Sequence, residues 1–213
     1  MKRGDHIVFI VDDDPNVREA LCELLESLGL SGVAFGSAAE YLAYARPDLP
    51  ACLVLDVKLP DINGLEFQKQ IAAEHHPPIV FITGHGDIPS SVGAIKRGAV
   101  DFLTKPFSET QLMQAIHAAI DQDRKSRHET AQLDNLQQRL AGLTPREREV
   151  LPLVVSGLLN KQAAAELGIS EITLQIHRSK IMHKMAASSL ADLVRIAERL
   201  HIPITHSRRA GMS

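Results

Sequence analysis

The chain has 213 residues, of which 45% are hydrophobic and 23% are charged, with a formal net charge of −3. This length can supply two ordinary domains with separate cores, and the composition is that of a globular protein in water. No apolar run approaches the roughly 20 residues of a membrane span, and Ile7–Val11 is too short for a signal peptide, so we expect a cytoplasmic protein without membrane contact.

Charge is distributed unevenly along the chain. Residues 1–125 carry 18 acidic and 11 basic side chains, a net charge of −7. Residues 126–213 carry 8 acidic and 12 basic side chains, a net charge of +4. An acidic half joined to a basic half indicates that only the second half binds a polyanion.

Five short apolar runs alternate with amphipathic segments over residues 1–125. The runs are continuously apolar, which is typical of strands buried on both faces of a parallel sheet. The clearest amphipathic segment begins at Asp14-Pro15 and ends at Gly29, as a capped helix does. Five β-α units predict a doubly wound α/β domain. The predicted strands are Ile7–Val11, Gly32–Phe35, Cys52–Leu55, Ile79–Thr83 and Val100–Thr104.

A helical linker is predicted over residues 126–142. The fifth helix of the first domain should begin with a capping box at Ser108–Gln111. The seam that follows is too short to indicate a coiled coil, which needs about three or four heptads. The pattern leaves open whether the fifth helix and the linker are one continuous helix. The seam consists of Leu133, Leu136, Leu140 and Leu143.

Residues 143–204 are predicted to form a second, all-α domain of four helices. Thr144 and Glu147 form a capping box around Pro145. The turn Gly168-Ile169-Ser170 between the second and third helices is typical of a helix-turn-helix. Residues 205–213 should be a flexible tail. The predicted caps are Thr144, Asn160, Ser170 and Ser189.

Polar residues follow the predicted strands of the first domain at one edge of the sheet, where ligands bind in doubly wound folds. Each has a structural explanation when taken alone, because aspartates cap helices and threonine suits strands. Together, the carboxylates would repel one another unless a hard cation bound them, and Mg²⁺ prefers such an all-oxygen site. These residues are Asp12, Asp13 and Asp14 after the first strand, Asp56 after the third, Thr83 at the fourth and Lys105 after the fifth.

Four segments at these strand ends carry a specific family resemblance. In this combination and spacing, residues 5–125 resemble the receiver domain of bacterial two-component response regulators, and in particular of FixJ-like regulators. The resemblance implies a five-stranded parallel sheet in the order 2-1-3-4-5 and a signalling protein rather than an enzyme. The segments are Val11-Asp12-Asp13, Leu55–Gly64, Thr83–Asp87 and Asp101–Phe107.

The resemblance also implies the chemistry of the acidic pocket. Asp56 would accept a phosphoryl group from a sensor histidine kinase. Asp12, Asp13, Asp56 and the backbone carbonyl of Lys58 would bind Mg²⁺, which neutralises the developing charge. Lys105 would pair with a phosphoryl oxygen, and we expect a cis bond between Lys105 and Pro106.

Two further residues are implied to act as a switch. Thr83 would donate its hydroxyl to the phosphoryl group, and Phe102 would then move inward. This would change the face formed by the fourth helix, fifth strand and fifth helix, through which two chains would dimerise. Alternatively, Phe102 is an ordinary strand residue packed in the core. His85, two residues beyond Thr83, either lies in an exposed loop without a role or influences the lifetime of the phosphoryl group.

The third helix of the second domain has two different faces at about 100° per residue. One face is predicted to be mainly core and contains Leu174, His177, Arg178, Ile181 and Met185. The other contains Ile172, Ile176, Ser179 and His183, with Gln175 at its flank. Outward isoleucines favour contact with base edges and thymine methyl groups in a major groove, although Ile176 could instead serve a dimer contact. Lys180 and Lys184 flank this face and suit phosphates.

Residues 138–204 resemble the LuxR-type helix-turn-helix. The resemblance places Gln175, Ile176 and Ser179 against DNA bases, with Lys161, Arg178 and Lys180 near the DNA backbone. It implies a transcriptional regulator that binds double-stranded promoter DNA as a homodimer and works with RNA polymerase. The family favours an activator, but the residues leave open whether the chain activates or represses. The matching segments are Leu143–Leu151, Asn160-Lys161-Gln162, Ile169-Ser170, Thr173-Leu174, His177-Arg178 and Ile181–Met185.

Two other classes of protein share part of this pattern. A magnesium-dependent phosphatase of the haloacid-dehalogenase type also uses an aspartate nucleophile, but it needs a second aspartate two residues later, where this chain has Lys58. A constitutive DNA-binding protein with a silent receiver-like domain would not need the complete set of pocket residues.

Overall fold

The computed structural model describes residues 5–72, 76–84 and 88–203. The chain divides into two compact units, Met1–His128 and Glu129–Ser213. Within the described ranges, no helix combines the length and apolar character that crossing a membrane requires.

The first unit is built on a five-stranded parallel sheet. Its strands are adjacent in the order β2-β1-β3-β4-β5, which confirms the order implied by the family resemblance. The strands lie within one residue of their predicted bounds because continuous apolar runs define them. They are β1 (Ile7–Val11), β2 (Gly32–Phe35), β3 (Ala51–Asp56), β4 (Ile79–Thr83) and β5 (Asp101–Thr104).

Helices cover both faces of this sheet, so the central strands are buried on both sides. On one face, Leu21 and Leu25 of α1 and Leu112 and Ile116 of α5 pack on the strands. On the other face, the apolar side chains come from α2, α3 and α4, with Phe67 of α3 fully buried. The helices are α1 (Pro15–Ser27), α2 (Ala38–Ala43), α3 (Gly64–Ile71), α4 (Ile88–Lys96) and α5 (Glu109–Ala141).

The predicted capping residues are found at both ends of α1 and at the start of α5. The Asp14 side chain accepts a hydrogen bond from the Asn16 amide, and Pro15 is the first helical residue. Gly29, just beyond the helix, has a φ of +75°, which glycine adopts without a steric penalty. At α5, the Ser108 amide donates to the Gln111 side chain and the Gln111 amide donates to the Ser108 hydroxyl.

The fifth helix runs without a break into the predicted linker. Helix α5 spans 33 residues, contains neither glycine nor proline, and ends where Gly142 donates its amide back to Gln138. The question that the sequence left open is therefore answered: residues 126–141 continue the helix. Leu136 of the linker seam is buried, and Leu140 packs against the core of the second unit.

The second unit contains the four predicted helices α6 (Pro145–Val155), α7 (Asn160–Leu167), α8 (Glu171–Lys184) and α9 (Leu190–Arg199). Thr144, Ser170 and Ser189 cap α6, α8 and α9 as predicted. Gly168 joins α7 to α8 in the left-handed conformation, with a φ of +64°. The predicted tail, residues 205–213, lies outside the described residues.

One predicted cap is wrong. Helix α7 begins at Asn160, and the cap position is held by Leu159, whose amide donates to the Gln162 side chain at 2.9 Å. Because Asn160 lies one residue inside the helix, its side chain is available to α8 and accepts a hydrogen bond from Arg178 at 3.1 Å.

A buried carboxylate connects α6 to α8. The Glu147 carboxylate accepts hydrogen bonds from the Thr144 amide at 2.8 Å and from the Lys184 ammonium at 2.7 Å. Only 2% of Glu147 is exposed. The hydrogen bond from Lys184, followed by that from Thr144, lowers the pKa of Glu147 to about 2.

We predict that Glu147→Gln destabilises the second unit in a pH-dependent manner. Because the folded-state pKa of about 2 lies below the ordinary value of 4.5, the carboxylate stabilises the fold above about pH 5 and loses this effect as the pH falls toward 2. Urea unfolding, followed by NMR signals of α6 and α8, should show a loss of about 2 kcal/mol near pH 7. The difference from wild type should disappear near pH 2, whereas Glu149→Gln, at an exposed ion pair, should change little. An equal loss at every pH would contradict the assignment.

Candidate functional site

Three carboxylates meet at the carboxyl edge of the sheet. Asp12 and Asp13 follow β1, and Asp56 ends β3, which is paired with β1 through Val11 and Leu55. Asp12, Asp13 and Asp56 each offer an oxygen atom within 4.8 Å of the others. Asp12 and Asp56 are buried and Asp13 is exposed, so Asp13 is the carboxylate of the cluster that faces solvent.

Lys105 bridges the two buried carboxylates. Its ammonium lies 2.7 Å from Asp12 Oδ2 and 3.0 Å from Asp56 Oδ2. Its backbone amide donates to the Thr83 carbonyl at 2.7 Å, which fixes the residue beside the end of β4. The bond between Lys105 and Pro106 is cis, as predicted.

Burial and the hydrogen bonds of this bridge shift the pKa values of Asp12 and Lys105. Burial raises the pKa of Asp12, an effect that outweighs the opposing hydrogen bond from Lys105. For Lys105, burial alone would lower the pKa, but the hydrogen bonds to Asp12 and Asp56 dominate and raise it. Lys105 is therefore a cation that holds the two buried carboxylates near one another.

Backbone amides orient the second oxygen of each buried carboxylate. The Asp14 amide donates to Asp12 Oδ1 at 2.9 Å, and the Lys58 amide donates to Asp56 Oδ1 at 3.1 Å. The donor set consists of hard oxygen atoms with one exposed member, which fits Mg²⁺ with retained water molecules. Asp12, Asp13, Asp56 and the Lys58 carbonyl are the residues that could hold it.

Thr83 and Phe102 lie on adjacent strands beside this cluster. Thr83 ends β4, is fully buried and pairs with Thr104 of β5. Phe102 is half-buried and its ring centroid lies 5.9 Å from that of Phe81. This packing is what the core alternative for Phe102 requires, and the switch role of both residues stays a prediction. His85 lies outside the described residues.

Three residues in the loops and helices that follow β1 and β3 were not assigned a role from the sequence. Arg18 of α1 donates to the carbonyls of Asp12 and Asp13. Asp61 accepts from the Ala39 amide at the start of α2 at 3.0 Å. A Cβ atom on Gly64 would lie 2.5 Å from the Asp56 carbonyl oxygen, so only glycine fits. Asp61 and Gly64 lie in the segment Leu55–Gly64 that carries the family resemblance, whereas the only sequence signal for Arg18 is a cation soon after three aspartates.

The outward face of α8 is as the helical periodicity predicts. Leu174, Ile181 and Met185 are buried, whereas Ile172 and Ile176 are 73% and 50% exposed. The remaining residues of the predicted DNA-contact set on this helix and at the start of α7 are also exposed. They are Lys161, Gln175, Ser179, Lys180 and His183.

Two predicted phosphate contacts have partners inside the second unit. Arg178 donates to Asn160, and Lys184 donates to Glu147 and to the Gly142 carbonyl. Sequence periodicity could not reveal this, because the partners lie on other helices. Both side chains stabilise the packing of the helices, and their contact with DNA stays a prediction.

Comparison with known proteins identifies the family of each unit. Residues 8–117 match the response regulator receiver domain family, and residues 141–197 match the luxR family of bacterial regulatory proteins. Nodulation protein W of Bradyrhizobium diazoefficiens is 51% identical over 95% of this chain and 90% of its own length.

Solved structures of response regulators are also similar to this chain. The response regulator StyR is 45% identical, with a TM-score of 0.81 over 92% of this chain and 100% of that chain. Full-length FixJ from B. japonicum is 38% identical, with a TM-score of 0.54 over 95% of this chain and 100% of that chain.

Proposed function

Because the chain belongs to the response regulators that join a receiver domain to a luxR-family DNA-binding domain, we propose that phosphorylation of Asp56 controls its binding to promoter DNA. The chain is a transcriptional regulator of the FixJ type. The observation that carries the proposal is the convergence of Asp12, Asp13, Asp56 and Lys105 on one point of the sheet edge.

The proposed chemical step is a phosphoryl transfer from a histidine kinase. A carboxylate oxygen of Asp56 forms the new bond to phosphorus while the bond to the phosphohistidine nitrogen breaks, and the imidazole leaves with the electron pair. Asp12, Asp13, Asp56 and the Lys58 carbonyl would hold Mg²⁺, which would supply charge neutralisation for the phosphoryl oxygens. The donor chemistry is the kinase's, so this chain acts as an acceptor and signalling protein.

The residues around Asp56 supply position and charge. Lys105 already lies 3.0 Å from Asp56, so its ammonium is within reach of a phosphoryl oxygen on that carboxylate. Thr83, on the adjacent strand, supplies a hydroxyl to the same group. The complete charged cluster argues against a silent receiver-like domain, and the family assignment argues against the phosphatase alternative.

We further propose that phosphorylation favours a homodimer. Movement of Thr83 and Phe102 would reshape the surface of α4, β5 and α5. Val92 and Ile95 of α4 are 46% and 44% exposed, which is apolar area that a second copy could cover. A dimer places two recognition helices about 34 Å apart, one turn of DNA, on an inverted repeat.

In the DNA-bound state, α8 lies in the major groove in this proposal. Its exposed isoleucines, Ile172 and Ile176, would contact thymine methyl groups. Lys161 and Lys180 would bind phosphates, with Arg178 and Lys184 contributing less because they have internal partners. Base edges would be contacted by Gln175, Ser179 and His183. The proposed regulator activates transcription through RNA polymerase. We place it in the cytoplasm, because the promoter DNA is there.

We expect acetyl phosphate with Mg²⁺ to add one phosphoryl group to the wild-type chain, detected by intact-protein mass spectrometry. Asp56→Asn should show no addition, because the amide is not a nucleophile of this kind. Asp121→Asn, at an exposed ion pair on α5, is the matched control and should be modified normally. Modification of Asp56→Asn to the wild-type extent would refute the assignment of the acceptor.

Two classes of α8 residue should differ in DNA binding, measured with beryllofluoride-treated protein on an operator selected from random DNA. Gln175→Ala should cost about 1–3 kcal/mol on the operator and little on unrelated DNA. Lys180→Ala should weaken binding to both DNAs similarly and reduce the slope of log affinity against log salt by about 1. Lys69→Ala, on the first unit, serves as the control for lost charge. Equal behaviour of the Gln175 and Lys180 variants would contradict α8 as the base-reading helix.

A further inference from the structure

Arg18 is attached to the main chain of the acidic loop. One terminal guanidinium nitrogen of Arg18 donates to the Asp12 carbonyl at 2.7 Å and to the Asp13 carbonyl at 2.9 Å. Arg18 lies on the first turns of α1, where its own amide donates to the Asp14 carbonyl at 3.1 Å. The side chain therefore folds back from the helix onto the two residues that precede its cap.

Gly36, which follows β2, lies near the Arg18 guanidinium. A Cβ atom added at Gly36 would lie 3.6 Å from the Arg18 terminal nitrogen, so a side chain at position 36 would contact the guanidinium. The Gly36 amide in turn donates to the Glu40 carboxylate at 2.7 Å. Arg18 thus lies near the turn that follows β2, and it contacts the acidic loop through its two hydrogen bonds to the Asp12 and Asp13 carbonyls.

Asp12 and Asp13 differ in how far other contacts fix their carboxylates. Both oxygens of Asp12 are fixed, by Lys105 and by the Asp14 amide. Within the described part of the chain, the Asp13 carboxylate accepts no hydrogen bond, and the residue is exposed. The position of Asp13 relative to Asp12 and Asp56 is consequently set by its backbone, whose carbonyl Arg18 binds.

We infer that Arg18 is a positioning residue for the cation site: it holds the backbone of Asp12 and Asp13 so that the exposed carboxylate of Asp13 faces the other two. The inference rests on the proposed function, since it concerns Mg²⁺ binding at that site. Groups that orient metal ligands from outside typically change metal affinity by about 10-fold to 100-fold when removed.

The positive charge of Arg18 has the opposite effect on Mg²⁺ binding to its positioning role. A guanidinium bound to the main chain of Asp12 and Asp13 repels an incoming cation, so its removal on electrostatic grounds alone would tighten Mg²⁺ binding. The sign of the effect therefore separates the two roles. Arg18→Met removes both the charge and the hydrogen bonds, whereas Arg18→Lys keeps the charge and changes the donor geometry.

The test is a Mg²⁺ titration of the full chain, followed by backbone amide chemical shifts. We expect Arg18→Met to bind Mg²⁺ about tenfold more weakly than wild type, with Arg18→Lys in between. The Mg²⁺ concentration for half-maximal phosphorylation by acetyl phosphate should rise in parallel, while the rate at saturating Mg²⁺ stays near that of wild type. Arg124→Met, which removes an exposed arginine of α5, should match wild type in both measurements.

Equal or tighter Mg²⁺ binding by Arg18→Met would overturn the inference. Thermal unfolding in a chelator checks that the variants are folded. If Arg18→Met does not fold, Arg18→Lys decides: weaker binding supports the positioning role, and unchanged or tighter binding overturns it. A wild-type chain that binds no Mg²⁺ would overturn the proposed function and this inference together, whereas normal wild-type binding with an unaffected Arg18→Met overturns this inference alone.

Discussion

The ammonium of Lys105 between Asp12 and Asp56 is the interaction on which the rest of the first unit depends. Two buried carboxylates repel one another in a medium of low dielectric constant, and the parallel sheet brings them together because β1 and β3 are neighbours. Lys105 offsets that repulsion from the end of β5, across β4. The site therefore needs the strand order β2-β1-β3-β4-β5, which collects residues far apart in the chain at one edge.

Much of this arrangement could be predicted because each strand carries its own signal. Continuous apolar runs located the strands, and polar residues at their carboxyl ends located the pocket. Contacts that depend on tertiary geometry could not be predicted. Arg18 reaches backward to two carbonyls, Asn160 is inside its helix rather than at its cap, and the unbroken course of α5 through residue 141 depended on a polar stretch with no decisive pattern.

Some basic residues of the second unit have partners on other helices, and others are exposed and proposed to bind DNA phosphates. Sequence periodicity does not distinguish these two groups. Apolar periodicity correctly separated the buried side of α8 from the exposed Ile172 and Ile176. The basic residues were not separable in this way, because Lys184 and Arg178 bind groups on other helices. The net charge of +4 after residue 125 thus overstates the charge that is free for phosphates, and exposed Lys161 and Lys180 carry more of the proposed contact.

The most direct test of the central claim is a crystal structure of the protein with Mg²⁺ and beryllofluoride, which mimics a phosphoryl group on an aspartate. The account predicts beryllium on an Asp56 oxygen and a metal ion about 2.1 Å from oxygens of the acidic cluster. It also predicts that the Lys105 ammonium has moved from Asp12 to a fluorine atom. Metal bound elsewhere, or Lys105 still bridging Asp12 and Asp56 beside an unmodified Asp56, would contradict it.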